Sequence, residues 1–227
     1  MNIVLNGACG KMGRSIIDLC KRKYKEINIF PVDIKKDEKV YSIEELKTIN
    51  FDGIIDFSSP EGSFEIIKLA LDLKKPIVIG TTGFSDIQIE NIKEYSKKIP
   101  IFLSPNMSLG VNICFIVADI ISKSIDCDIH INETHHKFKK DAPSGTALQF
   151  KKIMESNGKK VSISSSRIGD ITGEHEIIFA LNGEKILLSH TAYNREIFAE
   201  GALTALKWLI NQQPGFYNFK NIFEVKI

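Results

Sequence analysis

The sequence has no apolar run approaching the roughly 18 residues that a membrane-spanning helix requires, which excludes a protein anchored by such helices. It also has little net charge, +2 at pH 7, so its composition does not indicate nucleic acid or an anionic membrane as a partner. Internal repeats and low-complexity tracts are missing, which argues against repeat and disordered architectures. The N-terminus carries no basic region before an apolar core. We therefore expect a cytoplasmic protein without a secretion signal.

Cysteine is scarce, with four residues in 227 and no CxxC pair. Cys9 lies in a glycine-rich loop, while Cys20 and Cys114 lie in apolar segments, where a thiol behaves as a small hydrophobe. This usage predicts a reducing compartment and no disulfides.

Short apolar runs alternate with helical patterns over the first hundred residues. This alternation predicts right-handed strand–helix–strand crossovers and a parallel sheet covered on both faces. Strands are expected at 2–6, 27–32, 53–57, 77–80 and 101–103, and helices at 12–23, 61–73 and 85–97.

The pattern changes after residue 106, where an apolar helix is followed by several strand-like runs. Asn182-Gly183 between two alternating runs predicts a β-hairpin, so this part is expected to be α+β with a mainly antiparallel sheet. We predict a dinucleotide-binding domain at 1–106, with 198–227 returning to it, and a substrate-binding and oligomerisation domain at 107–197. The expected elements are helices at 112–124, 147–156 and 199–210 and strands at 129–133, 161–167, 175–181 and 184–191.

A glycine cluster with the spacing GxxGxxG, residues 7–13, stands between the first strand and the first helix. Glycines let the backbone approach a pyrophosphate, and the helix N-terminus directs N–H groups at it. A plain strand-to-helix turn would have a similar sequence. Asp33 strengthens the case for a nucleotide site. It ends the second strand 20 residues after Gly13, where an acidic side chain accepts hydrogen bonds from the adenosine ribose. An Asp there favours NADH; Lys35 and Lys36 could relieve the repulsion of a 2′-phosphate, so NADPH stays open.

Two further strand ends carry hydroxyl groups, Ser58-Ser59 before Pro60 and Thr81-Thr82 between Gly80 and Gly83. Both lie at the sheet edge where open α/β sheets bind ligands. Helix N-capping by Ser and Thr explains the same residues equally well.

The segment 133–147 is the most informative stretch, because it places two adjacent histidines and three lysines before a Pro-Ser-Gly-Thr turn. A metal site is one alternative, but no Cys or carboxylate recurs at ligand spacing, so none is expected. A solvated basic loop is another. Acid–base catalysis explains more. Hydride addition to an unsaturated acceptor leaves an anion that His or Lys can protonate. The turn opens a helix whose N–H groups can hold a carboxylate. The expected substrate is small, carries one or more carboxylates, and has a reducible C=C or C=N bond.

These motifs resemble the 4-hydroxy-tetrahydrodipicolinate reductase (dihydrodipicolinate reductase) family almost end to end, and the run His-His-x-x-Lys-x-Asp-Ala-Pro-Ser-Gly-Thr-Ala is highly specific. The resemblance implies NAD(P)H-dependent reduction of 4-hydroxy-tetrahydrodipicolinate in the diaminopimelate and lysine pathway, and a homotetramer formed through the second-domain sheets. Similar segments are 7–13, 56–62, 80–84, 105–112, 133–147 and 167–175.

The resemblance also implies residue roles. His135 is expected to donate or accept a proton and Lys139 to donate a second one. The substrate would be bound by His136, Ser144, Gly145 and Thr146. The cofactor would be bound by Gly7, Ala8, Cys9, Gly10, Lys11, Met12, Asp33, Gly80, Thr81, Thr82, Ser104, Pro105, Asn106 and Met107.

Three departures from the family pattern stand out. Cys9 replaces a common loop glycine, Ile34 and Ser59 stand where arginines can hold a phosphate, and the segment between Asp33 and Gly53 is compressed. The absence of arginine at positions 34 and 59 favours NADH. Two other functions share this fold class: a two-domain amino-acid dehydrogenase acting on aspartate or its semialdehyde, and a non-catalytic nucleotide sensor. The first leaves the His-His-x-x-Lys run unexplained, and the second would not need proton donors.

Overall fold

A computed structural model describes residues 1–34 and 40–223 of the chain. Lys35 and Lys36, considered above for cofactor choice, lie outside these residues. Contacts divide the chain into two compact units, Met1–Met107 with Glu196–Ile227, and Ser108–Arg195. The binding and assembly roles expected for the two parts of the chain stay predictions.

The first unit is built on a six-stranded sheet with the order β10-β5-β4-β3-β1-β2, in which every described pair is parallel. Helices α1, α3, α4 and α7 are its long helices. The strands are β1 (Asn2–Asn6), β2 (Asn28–Val32), β3 (Gly53–Asp56), β4 (Ile77–Ile79), β5 (Pro100–Leu103) and β10 (Gly215–Tyr217). The helices are α1 (Lys11–Lys23), α2 (Ile43–Leu46), α3 (Pro60–Asp72), α4 (Asp86–Ser96), α7 (Glu196–Leu209) and α8 (Phe219–Ile222).

The order of this sheet explains where a ligand can bind. The chain leaves β1 for β2 on one side and then returns to β3 on the other, so the strand order reverses between β1 and β3. Ligands of open α/β sheets bind beyond the carboxyl ends of the strands at such a reversal. Pro31 lies within β2, which is tolerated because β2 is an edge strand. The Rossmann-like fold expected from the sequence is confirmed.

The second unit contains a four-stranded sheet with the order β7-β6-β8-β9. Two of its three strand pairs are antiparallel, and β6 pairs with β7 in parallel. This confirms the mainly antiparallel second sheet. Phe150 and Met154 on α6 pack with Ile131, Ile177 and Phe179 of the sheet in one buried cluster. The elements are α5 (Leu109–Ser124), β6 (Asp128–His135), α6 (Gly145–Glu155), β7 (Val161–Arg167), β8 (Gly173–Ala180) and β9 (Lys185–Ala192).

Short elements and one strand end differ from the sequence prediction. The elements α2, α8 and β10 were not predicted, because two are single helical turns and the third has only three residues. Strand β6 runs on to His135 instead of ending at Glu133, so the first catalytic candidate lies on a strand and not in a loop. Within residues 1–34 and 40–223, none of the helices combines the length and apolarity that crossing a membrane demands.

Candidate active site

The loop after β1 has the shape that a pyrophosphate site needs. Gly7 adopts φ +78°, a left-handed conformation suited to glycine, and a Cβ there would overlap the Phe57 carbonyl group. Gly10 is the N-cap residue of α1 and has no side chain with which to cap it. The first N–H groups of this helix are therefore left to a ligand, and the positive end of the helix dipole favours an anion. The backbone thus fits the phosphates of a dinucleotide.

Asp33 lies directly beside this loop. Its Oδ2 accepts a hydrogen bond of 2.9 Å from the Cys9 N–H. The predicted residues Gly7, Cys9, Gly10 and Asp33 all line one cleft of about 390 Å³. The same cleft is also lined by Ile34, Tyr41, Ser42, Ile43, Phe57, Ser58, Ser59, Gly62 and Glu65.

A buried carboxylate that the sequence analysis missed joins the ends of three strands. Asp56, the last residue of β3, accepts hydrogen bonds from Asn6 Nδ2 at 2.8 Å, Ser58 Oγ at 2.6 Å and Thr81 Oγ1 at 2.9 Å, and also from Ser63 Oγ. Burial raises the pKa of Asp56, and these donors act against that rise. The sequence signal that could have identified Asp56 was its position directly before Phe57-Ser58.

The remaining predicted cofactor residues lie at the ends of β4 and β5 and at the start of α1. Thr81 is buried, and its hydroxyl accepts the Ser58 N–H at 2.9 Å in addition to its bond to Asp56. Ser104 Oγ donates to the Asn106 carbonyl at 2.7 Å, which folds the segment after β5. Ala8 and Met107 are buried, and Met12, Gly80 and Asn106 are half-buried. Lys11, Thr82 and Pro105 are exposed.

In the second unit, Glu133 and His135 lie two residues apart on β6 and form a close pair. His135 Nδ1 lies 2.5 Å from Glu133 Oε2, and both side chains are almost fully buried. The same carboxylate accepts Arg167 Nη1 at 3.0 Å and Nη2 at 2.7 Å. Sequence analysis gave Glu133 and Arg167 no role, although the alternation along β6 places Glu133 on the inward face.

Burial and hydrogen bonding set the charges here. Burial favours a neutral Glu133, but the hydrogen bonds from Arg167, Ser165 and His135 outweigh it and lower its pKa to about 2. Burial lowers the pKa of His135, although Glu133 acts in the opposite direction. Burial and the nearby His135 lower the pKa of His175 to about 3. The site therefore combines an ionised carboxylate with neutral imidazoles at neutral pH.

The predicted substrate residues follow β6 in a tight loop. The Lys139 N–H donates to the His136 carbonyl at 3.1 Å, and the Lys139 ammonium lies 2.9 Å from Asp141 Oδ1. His136 is half-buried, and its Nδ1 has no hydrogen-bond partner within the described residues. An unpartnered buried ring nitrogen is costly, so a bound ligand would satisfy it.

The N-terminus of α6 closes this loop. Ser144 caps the helix by accepting the Ala147 N–H at 3.2 Å, and its hydroxyl lies 3.1 Å from His175 Nε2. The Ser144 side chain therefore points inward, so its substrate-binding role stays a prediction. Gly145 is exposed, and a Cβ placed on it would have no atom within 4 Å. Thr146 follows, half-buried, in the same first turn.

One group of described side chains has donor atoms close enough to hold a metal ion, namely Glu133, His135 and His175, within 4.8 Å of one another. The Glu133 carboxylate already accepts hydrogen bonds from the Arg167 guanidinium, the His135 imidazole and the Ser144 N–H. These hydrogen bonds account for the cluster without a cation.

Comparison with known proteins identifies the family. The family model described as dihydrodipicolinate reductase, N-terminus, matches residues 1–107, and the one described as dihydrodipicolinate reductase, C-terminus, matches residues 110–223. The chain belongs to the dihydrodipicolinate reductase family. Members of this family are oxidoreductases that bind NAD(P)H.

Individual dihydrodipicolinate reductases agree with this assignment. The chain is 39% identical to a 4-hydroxy-tetrahydrodipicolinate reductase of Buchnera aphidicola over 264 aligned positions, which cover 98% of this chain and 96% of the relative. It is 41% identical to one of Wigglesworthia glossinidia brevipalpis, covering 98% and 92%. The 264 positions exceed the 227 residues of the chain, so the Buchnera protein contains residues that this chain lacks.

Solved structures show the same fold. A dipicolinate-bound dihydrodipicolinate reductase from Paenisporosarcina sp. TG-14 superposes with a TM-score of 0.85 at 23% identity, covering 98% of this chain and 99% of that one. An aspartate dehydrogenase from Thermotoga maritima gives a TM-score of 0.56 at 13% identity, covering 94% and 98%. The second likeness concerns the fold alone.

Proposed function

We propose that this protein reduces 4-hydroxy-tetrahydrodipicolinate to tetrahydrodipicolinate with NAD(P)H, in the route to diaminopimelate and lysine. The observation that carries the proposal is the segment after β6. From the end of β6 onward the chain carries the neutral His135 imidazole, the half-buried His136, the Lys139 ammonium and the exposed Gly145 at the start of α6. Relatives that cover nearly the whole chain carry the name of this reductase.

The chemistry divides among the residues of this segment. The C4 hydroxyl must first leave as water, with a proton from the adjacent ring carbon, which creates a C=C bond conjugated with the C=N bond. NAD(P)H, held by the glycine loop and Asp33, would supply the hydride for C4. The neighbouring carbon then needs a proton, and the Lys139 ammonium is the cation suited to give it, because His135 is neutral at the operating pH. His135 accepts or relays a proton through Nε2. The substrate carboxylates bind at Gly145, Thr146 and His136, where the α6 dipole favours an anion.

A coupled assay tests this function. The substrate is generated enzymatically in the presence of NADH or NADPH, and the absorbance of the reduced cofactor is followed. We expect oxidation that depends on both the enzyme and the substrate. Omitting the substrate-generating enzyme is the control, and an unchanged absorbance with both cofactors would refute the proposal.

We further propose that NADH is the preferred cofactor. Two carboxylates, Asp33 and Glu65, line the cleft beside the glycine loop, and both would repel a 2′-phosphate. Ser59 lines the same cleft and supplies no positive charge to offset them.

The preference predicts the effect of Asp33→Ala. We expect the Kd for NADH to rise by about tenfold, because a charge-assisted hydrogen bond to the ribose is lost. The Kd for NADPH should rise less, since repulsion of its phosphate is relieved at the same time. Fluorescence titration of both cofactors measures the two constants. A larger loss for NADPH than for NADH would refute the ribose assignment.

Gly145 allows a separate test of the substrate site. A methyl group at Gly145 meets open space in the protein, so Gly145→Ala should leave the melting temperature unchanged or slightly raised. The same methyl group would occupy the place of a substrate carboxylate, so KM should rise by about tenfold or more while the Kd for NADH stays constant.

Gly158→Ala is unsuitable as a control, because Gly158 has φ +79°. Leu148→Ala, an exposed change on the same helix, is the matched control. An unchanged KM would contradict the assignment.

We also propose a cytoplasmic homotetramer. One face of the second sheet packs on helices. The other presents the apolar side chains of Ile178 and Leu187 together with polar and charged ones, including Ser164, Glu174 and Glu176. A sheet face of this kind suits association between identical chains. Light scattering should give about four times the chain mass of 25.5 kDa, and a monomer mass at micromolar concentration would contradict the proposal.

A further inference from the structure

Glu133 occupies a position where a charged side chain is unusual. Along β6 the inward-facing residues are Ile129, Ile131, Glu133 and His135, and the first two belong to the apolar core of the unit. The Glu133 side chain has no solvent exposure. A buried carboxylate is costly unless its oxygens are fully hydrogen-bonded, so its partners indicate why it is there.

Its partners come from three different segments. Arg167, the last residue of β7, binds both carboxylate oxygens in a bidentate pair. His135 binds Oε2 from the same strand, and the Ser144 N–H donates to Oε1 at 3.2 Å from the start of α6. One carboxylate thus connects the proposed imidazole, the end of β7 and the helix turn that holds Gly145 and Thr146.

The pair also determines which nitrogen of His135 carries the proton. An ionised carboxylate can only accept hydrogen bonds, so the neutral ring must carry its hydrogen on Nδ1. Nε2 then has a lone pair, and it faces Gly173, where a Cβ would lie 3.0 Å away. The charged or titratable groups around the ring are Glu133, Lys139, Arg167 and His175.

Arg167 also helps to position Lys139, the second proposed proton-transfer group. Its Nη2 donates to the Asp141 carbonyl at 2.6 Å, and the Asp141 carboxylate holds the Lys139 ammonium. The side chain of Arg167 is only 17% exposed, whereas Asp141 lies at the surface, so the contact joins a largely buried guanidinium to an exposed loop. The loop that carries Lys139 is therefore fixed to the sheet through Arg167.

We propose that Glu133 and Arg167 are positioning residues for proton transfer: Glu133 holds His135 in the Nδ1–H tautomer, and Arg167 holds the loop that presents Lys139. Neither residue needs to touch the substrate. The inference rests on the proposed function for its catalytic meaning, while the tautomer itself is a property of the free protein.

Nuclear magnetic resonance of ¹⁵N-histidine-labelled protein tests the tautomer without any activity measurement. The His135 signals are assigned by comparison with His135→Asn. We expect the neutral Nδ1–H form in the wild type between about pH 7 and 8. In Glu133→Gln we expect this preference to be lost and the pKa of His135 to fall further, because the nearby negative charge is removed. A wild-type ring in the Nε2–H form would overturn the proposal.

Steady-state kinetics test the catalytic meaning. Glu133→Gln and Arg167→Lys should each lower kcat by about 10²-fold, with the Kd for NADH within about twofold of wild type. The conservative variants keep size or charge, and Glu184→Gln, an exposed change in the β8–β9 turn, is the control. Wild-type kcat in both variants would overturn the proposal. If the wild type itself reduces no substrate, the proposed function fails, and the wild-type tautomer still decides the role of Glu133.

Discussion

Replacing Lys139 with methionine is expected to lower kcat by about 10²- to 10⁴-fold, the range typical for loss of a general acid. Methionine keeps the length and most of the apolar stem but cannot carry a proton. The Lys139 side chain is mostly shielded, with 22% exposure, and its ammonium lies 2.9 Å from Asp141 Oδ1. The Kd for NADH should be unchanged, because the residues proposed to bind the cofactor lie in the other unit.

The matched control for this variant is Lys140→Met. Lys140 is the next residue in the same segment and is exposed. Turnover and NADH titration of both variants should separate loss of a specific acid from loss of positive charge in the loop. Wild-type turnover in Lys139→Met, or equal losses in the two variants, would contradict the assignment of Lys139.

Replacing Asp56 with alanine is expected to lower the free energy of unfolding by about 3 kcal/mol or more. The change would remove the acceptor shared by Asn6, Ser58, Thr81 and Ser63, and would leave these donors without it. Because they connect the ends of β1, β3 and β4 beside the cofactor cleft, NADH binding should weaken as well.

Urea denaturation followed by Trp208 fluorescence measures this loss. Asp52→Ala is the control, since Asp52 lies just before the same strand, is exposed and accepts the Asn2 N–H at 2.7 Å. We expect that control to cost about 1 kcal/mol or less. Equal losses at the two positions would show that Asp56 is an ordinary acidic residue and does not organise the cleft.

The long elements of the fold could be predicted from sequence because their signals are local. Alternating apolar runs and helical spacing located the strands and long helices of both units, and Asn182-Gly183 marked the β8–β9 hairpin. The three-residue strand β10 and the single-turn helices carry too few residues for a periodic pattern. Their formation depends on neighbours that are distant in the sequence.

The candidate site was predictable where a motif is continuous in sequence, as for His135, His136 and Lys139. The residues that support this motif could not be predicted in this way. Glu133 and Arg167 are separated by more than thirty residues, and only the parallel register of β6 and β7 brings them together. Asp56 likewise acquires its role from donors at the end of β1, just beyond β3 and β4, and on α3. Hydrogen bonds between distant segments leave no spacing signal in a single sequence.

The central claim is that this chain transfers a hydride to C4 of a dicarboxylate ring. The most direct measurement supplies NADH carrying deuterium at the transferable position, with enzymatically generated substrate, and analyses the product by mass spectrometry. We predict one deuterium per product molecule, located at C4, and stoichiometric loss of reduced cofactor. A product without deuterium, or deuterium at another carbon, would contradict the account.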